Sequence, residues 1–346
     1  MRRVSKLAAA VTATAALSLT VTACGASSTE SGDSGGKKGV GLAFDVGGRD
    51  DHSFNESAAR GADKAEKELG VNVKTMTASN GETDAERVQR LSGLAEAGYN
   101  PVIGVGYAYG NSMKEVAKKY PDTTFGIVDS VVDVKNVDSI VFSEEQGSYL
   151  AGVAAALKTK TDKVGFIGGV NNALIQKFQA GFEQGVHDTN PDVKVTSQYL
   201  YPNNDKGFND PAAAKEKAKG MLANDIDIIY TAAGQSGAGS IEAISQHKGA
   251  WAIGVDSDQY QQPGLEKYKD CIMTSVVKNV DVAVFDLIKS VQDGKPLTGV
   301  NSYTLAKGGV SLATSGGFID DIMPKIEEAK KKIVSGEVKV SKTPKK

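Results

Sequence analysis

The sequence predicts an α/β protein built from two doubly wound lobes. Short apolar runs alternate with helical patterns from Gly39 onward, several of these runs are apolar at nearly every position, and the pattern starts afresh near Val164. Strands that alternate with helices form parallel sheets with helices on both faces, and such buried strands are continuously apolar. A chain of 346 residues would make one very large sheet, so we expect two smaller ones.

The first residues have the pattern of a bacterial lipoprotein signal. Arg2, Arg3 and Lys6 form a basic start, and the apolar run 7–19 is too short to span a bilayer comfortably. Small residues then lead directly into Cys24. We expect cleavage before Cys24 and attachment of lipid to its sulfur and amine. The alternative is an ordinary secretory signal with an incidental cysteine.

Composition limits the class of protein. Removal of residues 1–23 changes the formal net charge from −2 to −5, and this balance argues against nucleic acid as the main partner. Segment 24–38 is rich in Gly, Ser and Thr and predicts a flexible tether. An anchored tether before a globular body places the protein at the outer face of a membrane.

Cys271 would be the only thiol left besides the anchor, so we expect a buried, inert cysteine and no disulfide within the chain.

The elements follow in order from the same alternation. Strands are predicted at 40–44, 102–105, 124–128, 139–142, 164–167, 226–231, 251–255 and 272–277. Helices are predicted at 55–69, 85–97, 111–119, 146–157, 175–187, 211–223, 239–246 and 280–292. Segment 330–346 is lysine-rich, and we expect a solvated helix end followed by disorder. The predicted organisation is a signal (1–23), a tether (24–38), a first lobe (39–143 plus 256–278), a second lobe (144–255 plus 279–335) and a basic tail (336–346).

Carboxylates follow several of the predicted strands. Asp45, Asp129 and Asp256 come directly after strands, and Asp51 lies close by. Ligands of open parallel sheets bind beyond the carboxyl ends of the strands. A carboxylate only accepts hydrogen bonds, so these ends suit sugar hydroxyls and purine N–H groups and repel phosphate. The glycine-rich turns match no phosphate-binding motif. The alternative for each Asp is a helix N-cap or turn residue.

Two aromatic residues lie in polar loops. Phe54 ends the loop after the first strand, and Phe208 lies between Gly, Asn and Asp residues. Two such rings from opposite lobes could stack on both faces of a flat base. The alternative for each ring is a hydrophobe that anchors its own loop.

Catalysis finds no support in the sequence. Segment 45–51 faintly resembles the acidic calcium loop of nucleoside hydrolases, but its spacing differs and no further metal ligands lie at matching positions. The three histidines are scattered, with no Ser or Cys motif to pair with. We therefore predict a binding protein without a cofactor or metal, not an enzyme.

The motifs taken together resemble the basic membrane protein family of lipoproteins, which includes purine nucleoside receptors. The similarity covers essentially the whole mature chain. The matching segments are 44–55, 103–107, 120–125, 165–169, 208–210, 233–239 and 251–259.

This resemblance implies a type I substrate-binding protein of an ABC importer, in which two Rossmann-like lobes joined by three crossings hold a nucleoside. Phe54 and Phe208 would sandwich the base, and Asp45 would bond its edge. Asp256 and Lys278 would bind the ribose. The other predicted ligand-binding residues are Asp51, Asn55, Tyr107, Asp129 and Gly234, the last through its backbone. Position 56 is Glu where the family often has Gln, which leaves the base preference open.

The implied mechanism is closure of the lobes around the ligand. A ligand that contacts both lobes shifts the hinge equilibrium toward the closed form, which an ABC permease would recognise. We expect a monomer held by its lipid at the extracytoplasmic face of the cell membrane. Two alternatives stay open: a receptor for a sugar or another small polar ligand, and a nucleoside-cleaving enzyme.

Overall fold

The computed structural model describes residues 38–345, which form two six-stranded sheets with helices between the strands. The strands are β1 (Val40–Phe44), β2 (Val73–Thr77), β3 (Val102–Val105), β4 (Phe125–Val128), β5 (Val137–Phe142), β6 (Lys163–Val170), β7 (Lys194–Tyr201), β8 (Ile228–Ala232), β9 (Trp251–Asp256), β10 (Ile272–Lys278), β11 (Gly299–Tyr303) and β12 (Val310–Leu312). The helices are α1 (Phe54–Leu69), α2 (Asp84–Glu96), α3 (Gly110–Lys119), α4 (Glu144–Lys158), α5 (Ala173–Thr189), α6 (Pro211–Leu222), α7 (Gly237–Ser245), α8 (Val280–Gln292) and α9 (Met323–Val334).

Each sheet is doubly wound. The first sheet has the order β11-β5-β4-β3-β1-β2 and the second β12-β10-β9-β8-β6-β7. Neighbouring strands are parallel except β10 and β12. In β1, Leu42 packs in one apolar cluster with Ala62 of α1, and Ala43 packs in another with Leu91 of α2. Successive side chains of a strand point to opposite faces, so helices cover both sides of the sheet.

All eight predicted strands and all eight predicted helices are present with small shifts at their ends. The four strands that the apolar pattern missed are β2, β7, β11 and β12, and these are the four edge strands of the two sheets. In β2, every residue after Val73 is exposed. An edge strand has a neighbour on one side only and needs no continuous apolar run, so its sequence carries a weaker signal.

The predicted assignment of 256–278 to the first lobe is wrong at the level of strands. β10 pairs with β9 and β12 in the second sheet. β11, expected in the second lobe, pairs with β5 in the first sheet instead. Sheet membership depends on hydrogen bonds between distant segments, which an apolar run does not encode.

The chain passes between the two lobes three times, the number that the resemblance implies. The crossings lie between β5 and α4, between β10 and α8, and between β11 and β12. α8 returns to the first lobe and packs on α1, where a Cβ at Gly61 would lie 2.3 Å from the carbonyl oxygen of Asp281. All three crossings lie at the β11/β5 and β12/β10 side of the sheets, so this side is the hinge.

Close packing of α4 against α5 fixes the start of α4 at the hinge. A Cβ at Gly181 would lie 2.1 Å from the carbonyl oxygen of Glu145, and one at Gly152 would lie 2.2 Å from that of Phe182. Only glycine permits backbones to approach this closely. The first residues of α4 are therefore held against α5.

The expected disorder of the basic tail does not match the structure of residues 338–343. Val338 and Val340 pack against the main apolar cluster. The backbone N–H of Ser341 donates to Gln184 Oε1 at 2.8 Å, and Gln184 Nε2 donates to the carbonyl of Lys339 at 3.3 Å. Val338 and Val340 alternate with the exposed residues Glu337 and Lys339, so one face of the segment is apolar enough to pack while the charged side chains stay in solvent.

The predicted signal, the lipidation site Cys24 and nearly all of the tether lie outside the described residues. Across 38–345, no helix has the length and apolar character needed to cross a membrane.

Candidate functional site

All ten predicted ligand-binding residues line one cleft between the lobes. They are Asp45, Asp51, Phe54, Asn55, Tyr107, Asp129, Phe208, Gly234, Asp256 and Lys278. The cleft encloses about 550 Å³ of space, including the part open to solvent. The carboxyl ends of both sheets face this space. The structure thus brings the ten residues together, and their contact with a ligand stays a prediction.

Asp45 stands at the end of β1 and is 6 % exposed. Its Oδ1 accepts the backbone N–H of Val46 at 2.8 Å, and its own N–H donates to Asn55 Oδ1 at 3.1 Å. Gly106 has φ +120°, and a Cβ there would lie 2.4 Å from Asp45 Oδ2, so glycine is needed beside this carboxylate. Burial raises the pKa of Asp45 to about 7.

Asp51 and Asn55 use their polar atoms to build the loop. The Asp51 carboxylate accepts the backbone N–H groups of Ser53, Asn55 and Glu56 at 2.9, 2.9 and 3.0 Å. The Asn55 amide nitrogen donates to the carbonyl of Val46 at 3.1 Å. Asp51 thus caps the start of α1, which is the alternative that the sequence left open. Both residues hold Asp45 and Phe54 in place.

Lys278, the last residue of β10, is 2 % exposed and lies at the base of the cleft. Its ammonium pairs with Asp129 Oδ2 of the first lobe. It also lies 4.8 Å from the ring centre of Phe54 and 5.2 Å from that of Phe142. Burial alone acts to lower the pKa of Lys278, and the attraction of nearby carboxylates outweighs it, so the pKa is raised and the side chain is charged.

Asp256 connects the two lobes at the end of β9. Its Oδ2 accepts the hydroxyl of Ser53 at 2.7 Å. Its backbone has φ +63°, in the left-handed region, where Asp and Asn are better tolerated than most residues. Burial raises the pKa of Asp256, and Lys278 opposes that shift.

Aromatic rings of both lobes meet at the cleft. Phe54 belongs to the first lobe, and Phe208 belongs to the second. Tyr107 of the first lobe packs edge-to-face on Phe208, with ring centres 6.3 Å apart. Gly234, at φ +53°, lies beneath Phe208, and a Cβ there would be 3.2 Å from the Phe208 carbonyl oxygen.

Direct contacts between the lobes surround the cleft. Tyr107 Oη donates to Asp205 Oδ1 at 2.6 Å, and Arg87 lies 3.4 Å from Asp205 Oδ2. On the α1 side, Ser257 Oγ donates to the carbonyl of Ser53 at 2.7 Å. The described structure is thus a closed form, in which a ligand would touch both lobes.

The sequence missed the apolar wall of the cleft. This wall and the neighbouring backbone comprise Val46, Gly106, Leu174, Ile175, Phe178, Ala232 and Val255. Leu174, Ile175 and Phe178 come from the first turns of α5, where helical periodicity alone assigns them to the core. Asp205 was also missed, since nothing in the sequence marks an acidic loop residue as a contact between lobes.

Glu56 lies outside the cleft. Its Oε2 is 3.5 Å from His52 Nδ1, and its Oε1 is 3.9 Å from Arg60. Together they line a separate surface groove. The departure from the family pattern at position 56 therefore does not place a carboxylate in the cleft.

Cys271 is partly rather than fully buried. Burial raises the pKa of its thiol to about 12, so the thiol stays protonated and unreactive at neutral pH. Within residues 38–345, no group of three or more His, Cys, Asp and Glu residues could hold a metal ion.

Comparison with known proteins decides the family. The family model of PnrA-like substrate-binding proteins of ABC transporters matches residues 38–344. The chain belongs to this family. It is 36 % identical to a CD4+ T-cell-stimulating antigen of Listeria innocua, over 93 % of this chain and 94 % of the relative. It is 34 % identical to the ABC transporter nucleoside-binding protein BmpA of Lactococcus lactis, over 96 % and 97 % of the two chains.

A solved structure supports the substrate-binding class and the type I fold. A solute-binding protein of an ABC transporter system from Aeropyrum pernix matches with a TM-score of 0.76 and 28 % identity, over 89 % of this chain and 94 % of that one. The predicted fold and family are thereby confirmed. This PnrA-like protein is a member of a family of substrate-binding proteins rather than of enzymes.

The raised pKa values in the cleft predict a dependence on pH. Burial raises the pKa of both Asp45 and Asp51 to about 7 in the folded protein. The folded chain therefore binds more protons than the unfolded chain between about pH 4 and 7, so the free energy of unfolding falls as pH rises through this range. Donors of a ligand favour ionised Asp45, so we expect ligand affinity to rise from pH 5 to pH 8, measured by calorimetry.

Asp45→Asn tests whether ionisation of Asp45 causes this pH dependence of affinity. The amide does not titrate, so the affinity of the variant should be nearly flat between pH 5 and 8, as well as weaker at pH 8. Asp138→Asn is the control, because Asp138 is equally buried but faces Asn301 at 2.7 Å, away from the cleft. A pH dependence that persists in Asp45→Asn would assign it to another group.

Proposed function

We propose that this protein is a lipid-anchored extracytoplasmic receptor that captures a nucleoside, with purine nucleosides as the expected class, and delivers it to an ABC permease. The observation that carries the proposal is the meeting of Phe54 and Phe208 from opposite lobes in a cleft whose strand ends hold carboxylates. A flat base needs stacking surfaces, and its N–H groups and the ribose hydroxyls need acceptors.

The charge of the cleft favours an uncharged ligand. Among the described residues that line it, Lys278 is the only cation, and it already pairs with Asp129. Asp45, Asp129 and Asp256 face the same space. A phosphate would meet these carboxylates with only an ammonium whose charge Asp129 already balances, so a nucleoside fits better than a nucleotide. The Lactococcus relative, named as a nucleoside-binding protein, supports the same ligand class.

Closure would couple binding to transport. Asp45 and Phe54 belong to the first lobe, whereas Phe208, Asp256 and Lys278 belong to the second. A nucleoside that contacts both sets binds the closed form more tightly than the open form, and this difference in affinity sets how far the equilibrium shifts. The permease would then distinguish loaded from empty receptor by the closed arrangement of the lobes.

A thermal-shift screen followed by calorimetry tests the ligand class. The panel contains adenosine, guanosine, inosine, their free bases, uridine, ribose and arabinose. We expect the purine nucleosides to raise the unfolding temperature most, because binding to the folded form alone stabilises it. Stabilisation by ribose without adenosine would select the sugar receptor. Release of free base during incubation would select a nucleoside-cleaving enzyme.

The anchor is tested separately in cells. We expect the wild-type protein to partition with membranes and Cys24→Ala to be lost from them, because a multi-chain lipid anchor holds firmly whereas the body alone does not. Fractionation and immunoblotting measure the distribution. Cys271→Ala is the matched control, since it removes a cysteine without touching the signal, and it should stay with the membranes. Membrane retention of Cys24→Ala would overturn the anchor.

A further inference from the structure

Glu144 is a buried carboxylate beside the cleft that none of the predicted contacts uses. It is the first residue of α4 and is 1 % exposed. Its Oε1 lies 3.4 Å from the Lys278 ammonium, and its Oε2 accepts from Lys177 Nζ at 3.0 Å. Glu144 is not among the residues lining the cleft. Its position suggests that it acts through Lys278.

Glu144 and Asp129, the two carboxylates beside Lys278, belong to different lobes. Asp129 follows β4 of the first lobe, whereas Lys278 ends β10 and Glu144 begins α4, both in the second lobe. When the lobes separate, Asp129 moves away from Lys278, and Glu144 stays with it. Glu144 is thus the one of these two carboxylates that can hold the ammonium in both forms.

The Lys278 ammonium has N–H donors left for a ligand. A lysine ammonium has three N–H donors. One is directed to Asp129 Oδ2, and the nearest atom of Glu144 is Oε1. The ring centres of Phe54, Phe142 and Phe178 lie 4.8, 5.2 and 5.7 Å from Nζ. Glu144 Oε1 attracts the ammonium by charge without accepting a hydrogen bond from it, and the rings accept no strong hydrogen bond. A hydroxyl in the cleft is therefore a natural further partner of the ammonium.

Neighbouring groups support the buried Glu144 carboxylate. The N-terminus of α4 carries positive partial charge, which favours an anion at this position. Lys177 of α5 supplies a full positive charge, and the close contact at Gly181 holds α5 against α4. These positive groups offset part of the cost of burying the Glu144 carboxylate.

We propose that Glu144 is a positioning residue that holds the Lys278 ammonium ready for the ribose hydroxyls, in the open and in the closed protein. The proposal rests on the proposed function for the identity of the ligand. The hold of Glu144 on Lys278 is itself a property of the protein without ligand and can be measured there.

The binding arm compares nucleosides with free bases. Calorimetry is run on wild type and Glu144→Gln with adenosine, guanosine and inosine and with adenine, guanine and hypoxanthine. We expect Glu144→Gln to weaken nucleoside binding by about tenfold, which corresponds to about 1.4 kcal/mol. Base binding should weaken by less than about twofold, because only the ribose contact is lost. Equal loss for nucleoside and base would overturn the proposal.

Glu145→Gln is the matched control. Glu145 is the next residue of α4 and is also buried, but the ion pairs of Lys278 are with Asp129 and Glu144 and not with Glu145. It should leave the ratio of nucleoside to base affinity unchanged. Glu144→Gln removes one negative charge from a region with three carboxylates and two ammonium groups, so it is expected to fold, and its thermal unfolding is measured alongside.

The second arm needs no ligand. Protein labelled with ¹³C-lysine is studied by NMR at neutral pH, and Lys278→Met identifies the Lys278 resonance. We expect Glu144→Gln to shift the Lys278 Cε resonance and to speed the exchange of the ammonium protons with water, because an opposite charge is lost beside them, and Glu145→Gln to leave both unchanged. An unchanged Lys278 resonance and exchange rate in Glu144→Gln overturn the proposal whatever the ligand. If wild type binds no nucleoside while these changes occur, the proposed function fails and only the hold of Glu144 on Lys278 stands.

Discussion

Phe208→Ala is expected to weaken nucleoside binding by at least about tenfold. Phe208 lines the cleft from the second lobe, and base–aromatic stacking contributes about 1–3 kcal/mol per base, which is about fivefold to 150-fold in affinity. The same ring packs on Tyr107, and so its loss also removes a contact between the lobes. Calorimetry with adenosine, guanosine and inosine measures the effect, and free bases should lose affinity to a similar degree.

Phe285→Ala is the matched control for this experiment. Phe285 lies in α8, is also half-buried and packs on Lys64 away from the cleft. It should change the unfolding temperature without changing affinity. Unchanged nucleoside affinity in Phe208→Ala would remove the clamp from the proposed function and leave Phe208 as an anchor of its own loop.

Asp256→Asn is expected to reduce the affinity for ribosides by about tenfold or more and that for free bases by less than about threefold. Loss of a charged acceptor from a buried hydrogen bond typically costs about 1.5–3 kcal/mol. Asparagine tolerates the left-handed backbone at φ +63°, so the variant changes charge with little strain. Pairs of a nucleoside and its base, compared by calorimetry, give the ratio directly.

The outcome for Asp256→Asn separates two roles of the residue. Asp256 also accepts the Ser53 hydroxyl across the lobes, and a loss of closure would affect bases and ribosides alike. Ser53→Ala removes that hydroxyl and keeps the carboxylate, so it should lower both affinities by the same factor. If Asp256→Asn behaves in the same way as Ser53→Ala, the assignment of Asp256 to the ribose is wrong.

Much of the fold could be predicted because central parallel strands are buried on both faces. β1, β3 and β4 are fully buried along their length, and their apolar runs are visible in the sequence. β2 and β11 lie at edges and are mostly exposed, so their sequences resemble those of polar loops. Strands were thus predicted correctly where they are buried and were missed where they are exposed.

Much of the site could also be predicted, because parallel strands place their carboxyl ends at one edge. Asp45, Asp129 and Asp256 each follow a strand, and the structure brings all three to the cleft. The role of Asp51 could not be read in the same way. A carboxylate that caps a helix and one that faces a ligand look alike in sequence, and only the three backbone donors around Asp51 distinguish them.

The sequence by itself determined the α/β class, the central strands, the family resemblance and the residues that meet at the cleft. Only the tertiary structure decided that β10 belongs to the second lobe, that Glu56 faces away from the cleft and that Glu144 lies beside Lys278. Local patterns of burial and turn chemistry are encoded residue by residue. Which strands share a sheet and which side chains meet between the lobes depends on how the lobes fold and close, which no local pattern specifies.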